Sequence, residues 1–101
     1  MAVTFRQLRY FLVLAEELHF GRAAERLNIS QPPLSTSLKQ LEENLGFALL
    51  QRNQRGVQLT PAGRVYAESV RQVLTQLEAA EAAAAQTARK VTGKLTVAFV
   101  P

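Results

Sequence analysis

Apolar residues recur at three- and four-residue steps along most of this chain, and the breaks in that rhythm divide it into elements. Leu8, Phe11, Leu12 and Ala15 keep helical spacing, with Phe5 and Leu14 widening the stripe. Thr4 and Gln7 stand three apart just ahead of it, the arrangement of a capping box in which two orphan N–H groups are satisfied reciprocally. This helix is expected to fade near Leu18 and His19, with Phe20 plugging the core. A shorter helix, Arg22 to Leu27, turns Ala23, Ala24 and Leu27 inward, and the small alanines let another helix cross closely. Gly21 takes its cap position, where Ser or Thr would be the stronger choice. Asn28-Ile29-Ser30 is a tight connection, and a third helix begins at once.

That third segment, QPPLSTSLKQLEENLG, has two unlike faces. Leu34, Leu38, Leu41 and Leu45 form an apolar stripe. Prolines suit a first turn, where N–H groups lack helical partners. Gln31, ahead of a proline, is expected as the cap, and Gly46 as the left-handed stop. Opposite the stripe lie Pro32, Ser35, Thr36 and Lys39. Such a face of small hydrogen-bonding groups and one cation can be simply wet, or it can sit in a DNA major groove. Its place after a short helix and a tight turn makes the pair a helix-turn-helix pattern.

Phe47 to Gln51 and Val57 to Leu59 fit two short strands around Arg52-Asn53-Gln54-Arg55-Gly56, a turn-forming stretch with two arginines and no acid. The turn is either solvated or a wing whose guanidinium groups reach phosphates or a minor groove. Thr60-Pro61 then opens a helix running to about Lys90, roughly 45 Å long. Tyr66, Val70, Val73, Leu77, Ala80, Ala84 and Thr87 alternate in four-three steps, the seam of a coiled coil. The alternative is a helix folded back on its own domain. Beyond Thr92-Gly93, Leu95, Val97 and Phe99 alternate with smaller residues as in a half-buried strand with no partner, so the chain is expected to continue into a further domain.

Composition narrows the chemistry. Hydrophobic residues make up 48% of the 101, enough to bury one core. A net charge of +4 mildly favours an anionic partner, although the basic residues are scattered. Without cysteine there is neither a disulfide framework nor a thiolate metal site. His19 is the sole histidine, so it is expected at the surface or an element boundary, and no metal or cofactor is expected. Glu16-Glu17 and Glu42-Glu43 are adjacent on helices, so their side chains diverge instead of forming a catalytic pair, and an enzyme is not expected. No secretory leader or membrane-spanning run is read, which points to a soluble, cytoplasmic protein.

RQLRYFLVLAEELHFGRAAERLNISQPPLS, followed by LEENLGFALLQRNQRGVQLTPAG, resembles the DNA-binding region of LysR-type transcriptional regulators. The SQPPLS turn, the LE-x-x-LG helix end and the R-x-x-R…LT-x-AG hairpin stand in that family's order. The resemblance implies a mainly α fold: a winged helix-turn-helix of three helices and a short two-stranded hairpin (1–60), then a long linker and dimerisation helix (61–91). Residues 92–101 would be the hinge and first strand of an effector-binding domain, through which any small-molecule effector would act. It further implies a homodimer on an interrupted inverted-repeat operator in double-stranded DNA, and a full-length protein that is often a dimer of dimers.

Gln31, Pro32, Ser35, Thr36 and Lys39 match family positions that approach bases or adjacent phosphates. Arg52 and Arg55 match wing positions, and Arg22 a position facing a phosphate. Two residues depart from the pattern. Thr36 stands where many members have Arg, losing a bidentate guanine contact, and Gly21 replaces the usual hydroxyl cap. The competing reading is a winged helix used for protein–protein assembly, with the long helix as its dimer arm.

Overall fold

The computed structural model describes residues 3–91. The expected hinge and strand at 92–101 lie outside them. The element order is α1 (Phe5–Glu17), α2 (Phe20–Leu27), α3 (Gln31–Leu45), β1 (Leu50–Asn53), β2 (Gly56–Leu59) and α4 (Pro61–Val91). This is a mainly helical fold of three helices, a two-stranded antiparallel hairpin and a long C-terminal helix. The chain forms two compact units, Met1–Arg71 and Gln72–Pro101, with their boundary inside α4.

Local chemistry sets the ends of the elements. At α1 the capping box is complete: the Gln7 N–H donates to Thr4 Oγ1 at 3.2 Å and the Thr4 N–H to Gln7 Oε1 at 3.1 Å. Gln7 is buried by this role, whereas Phe5, expected in the buried stripe, is 52% exposed. Leu18 closes α1 in the left-handed conformation. α2 starts two residues earlier than its sequence pattern suggests, because His19 caps it: Nδ1 accepts the Arg22 N–H at 3.0 Å. A Cβ on Gly21 would meet His19 Cε1 at 3.0 Å, so the missing side chain leaves room for the imidazole cap.

Ser30, not Gln31, is the extended residue before α3, and it makes no side-chain cap hydrogen bond. The reason is chemical. A cap side chain accepts from the second or third N–H of the helix, and here those positions are Pro32 and Pro33, which have none. Gly46, at φ 88°, ends the helix as its composition suggests.

Two apolar clusters hold the first unit. Val13, Leu14, Phe20, Ala23, Ala24, Leu34 and Leu50 form one; Phe11, Leu41, Leu49 and Ala67 form the other. Leu38 packs on both. The strands are shifted from the expected positions: β1 begins at Leu50, so Phe47 is exposed and Arg52 and Asn53 belong to the strand. The shift follows from Glu42, whose carboxylate accepts the Leu49 and Leu50 N–H groups at 2.7 and 3.2 Å and ties the start of β1 to α3.

At the head of α4, Thr60 Oγ1 accepts the Gly63 N–H at 2.9 Å and donates to the Ala48 carbonyl at 2.8 Å. A Cβ at Gly63 would lie 2.1 Å from the Leu49 carbonyl oxygen, so the close crossing there requires glycine. Tyr66 then packs on Phe11, ring centroids 5.7 Å apart, and its burial raises the phenol pKa. Packing therefore continues from the hairpin into the first turns of α4.

Candidate nucleic-acid interface

The proline-opened first turn and the inward leucines rotate α3 so that Gln31, Pro32, Thr36 and Lys39 are exposed, with Ser35 half-buried beside them. The hairpin brings Arg52 to one flank of this ridge. Ser35, Lys39 and Arg52 line a single cleft of about 190 Å³, floored by Phe20, Leu38 and Leu50. Arg52 lies over the Phe20 ring, its guanidinium carbon 4.2 Å from the centroid, a cation–π contact that holds a flexible cation in one place. Glu42 lines the same cleft, with one carboxylate oxygen taken up by two backbone N–H groups.

Arg55 is not in that cleft. It sits in the two-residue turn, where its N–H donates to Asn53 Oδ1 at 2.8 Å, beside Gln54 and Gln58. Lys39, Arg52 and Arg55 form no ion pair among the described residues. Arg22 differs: its Nε lies 3.5 Å from Glu17, although its side chain remains 61% exposed. It belongs to a surface network in which Glu16 and Glu17, expected to diverge, both turn to one Arg26 nitrogen, and Arg71 reaches Glu16. Hydrogen bonds to Glu16 and then Glu17 push the Arg26 pKa above its ordinary value.

The expected dimer seam divides in two. Val70 is 3% exposed within the single chain, and Tyr66 is half-buried against Phe11. Val73 is 46% exposed, Leu77 is half-buried, and Ala80, Ala84 and Thr87 are exposed. Three roles were not visible as sequence motifs: Phe20 as the platform of Arg52, His19 as a cap, and Glu42 as the tie between α3 and the hairpin. Only the last had a local signal, an acid one turn before a helix end.

Among the described residues no group of His, Cys, Asp and Glu is arranged to hold a metal, and no helix is long and apolar enough to cross a membrane. Residues 5–64 match the family model described as bacterial regulatory helix-turn-helix protein, lysR family. The chain belongs to that family.

Its LysR-family relatives include the HTH-type transcriptional regulator AlsR of Bacillus subtilis (strain 168), 50% identical over 95 residues that cover 94% of this chain and 32% of AlsR. HTH-type transcriptional regulator ClcR of Pseudomonas putida is 44% identical over 95 residues, again 94% of this chain and 32% of the relative. The chain thus spans about a third of the length of these curated relatives. Among solved structures, the CbnR_DBD–DNA complex superposes with a TM-score of 0.81 at 39% identity, covering 86% of this chain and all of that one. The BenM_DBD/catB site 1 DNA complex gives 0.83 at 37% identity, covering 85% and 97%.

Proposed function

We propose that this chain binds double-stranded DNA as the DNA-binding part of a cytoplasmic LysR-type transcriptional regulator, with no catalytic role. The observation that carries the reading is the exposed ridge of α3 flanked by a cleft that joins Ser35 and Lys39 to Arg52. The ridge can enter a major groove, where small polar side chains read base edges. Lys39 and Arg52 lie free of acidic partners among the described residues and can neutralise phosphates. Gln31, Pro32 and Thr36 supply the rest of the face, and Arg55 reaches outward from the wing tip. Arg22 contributes only by leaving Glu17. Likeness to chains crystallised with DNA supports the same assignment.

The regulator acts as a homodimer through the exposed part of α4, from Val73 and Leu77 to Ala80 and Ala84, on an interrupted inverted repeat. Tyr66 and Val70 support that seam from within the chain. In the longer protein, a C-terminal domain takes the small-molecule effector, and two dimers associate.

A salt titration of duplex binding tests the reading. Affinity should fall steeply as salt rises, and replacing Arg52 and Arg55 together with Ala should lower the slope by about one per lost phosphate contact. Weaker binding at an unchanged slope would remove direct phosphate contact from the wing, and no DNA binding by the unaltered chain would favour a protein–protein module.

A further inference from the structure

Helix α3 has a second flank, facing α1. Between the two helices runs a groove of about 650 Å³, with Arg6 and Tyr10 on one wall and Thr36 and Gln40 on the other. Ser37 also lines it; it is 8% exposed, and its hydroxyl is enclosed beneath the surface without a hydrogen-bond partner. Arg6 is exposed, forms no ion pair among the described residues, and is the only charged residue lining the groove. The opposite flank of α3 is the cleft of Ser35, Lys39 and Arg52. The ridge therefore runs between two polar grooves, each with a cation and each open to solvent.

A helix about 10–12 Å across fills a major groove about 12 Å wide, so a sugar-phosphate strand stands on either side of it. We propose that the α1–α3 groove seats a backbone phosphate of the strand opposite the one held by Lys39 and Arg52. Arg6 is its neutralising cation, and the Tyr10 hydroxyl and Gln40 amide are flanking donors. The planar guanidinium fork matches phosphate geometry, and no carboxylate lines the groove to compete with it. The proposal rests on the DNA reading of α3.

The test is a salt series of binding to a duplex selected from a random-sequence pool by the unaltered chain. Arg6→Ala and Arg6→Gln should both weaken binding several-fold and lower the salt slope by about 0.9 for each bound subunit, one phosphate's share. Arg6→Lys should restore the slope. Thermal melting should be the same for all, since Arg6 is exposed. If the Ala and Gln variants melt normally and keep the parental slope, the proposal fails and the DNA reading stands. An unaltered chain that binds duplex with no salt dependence would overturn the DNA reading, and this one with it.

Discussion

The two halves of α4 are one continuous helix held in two different ways. From Pro61 to Leu74, residues at helical spacing are buried: Gly63, Ala67, Val70 and Leu74. From Thr75 to Val91 none is buried, and only Leu77 is even half-covered. The first half is fixed by packing, through the Leu49 crossing and the Phe11–Tyr66 contact. The second half relies on its alanines and glutamates, which are strong helix formers. A helix with no covered face is marginal by itself. An unpartnered apolar edge at helical spacing is what a second chain can use.

The sharpest way to break this comparison is to spoil only the exposed edge. Val73→Glu with Leu77→Glu should leave a folded monomer, because buried like charges at a helix seam cannot be paired. Its affinity for a single half-site should hardly change, while that for the inverted repeat should fall by about 10²–10⁴, the gain that linked sites provide. Sedimentation and operator titration read the two effects separately. A double variant that stays dimeric would place subunit pairing on another surface.

A smaller effect is expected from the packed half. Gly63→Ala forces a methyl group against the Leu49 carbonyl and should destabilise the fold by about 1–3 kcal/mol, the usual range for overpacking. Denaturant unfolding would measure it, and a neutral result would mean that the crossing is looser than the geometry implies. Smallest of all, Ala84→Gly changes no packing in the single chain and should cost about 1 kcal/mol or less of helix stability. A greater loss, appearing only at concentrations where the chain is dimeric, would place Ala84 inside the subunit contact.

Features coded by neighbours in sequence are legible in the sequence itself. The Thr4–Gln7 box, the Thr60 cap and the Gly46 stop depend on residues within one turn, and each formed as read. The leucines of α3 likewise announce which side faces inward. What was not legible depends on distant partners. Arg52 finds the Phe20 ring and Arg22 finds Glu17 only after the helices have packed. The seam failed to separate for a physical reason: burial against one's own domain and burial against a second chain use the same spacing. Periodicity therefore does not distinguish Val70, covered by its own chain, and half-buried Tyr66 from the more exposed Val73. His19 lies at an exposed element boundary as expected, but its capping role is not legible, because imidazole is an uncommon cap and its fit depends on the absence of a Cβ two residues on.

Leu49 is where three elements meet. Its N–H is held by Glu42 of α3, its carbonyl accepts the Thr60 N–H at 3.0 Å, and Gly63 rests against that same carbonyl. For anyone exchanging modules between regulators, this sets where the chain can be cut. A chimera joined at Pro61 would put a foreign helix face against Phe11, Leu41 and Leu49, with any residue larger than glycine at position 63 striking the backbone. A junction beyond Leu74, the last buried position of α4 among the described residues, carries that packing along intact.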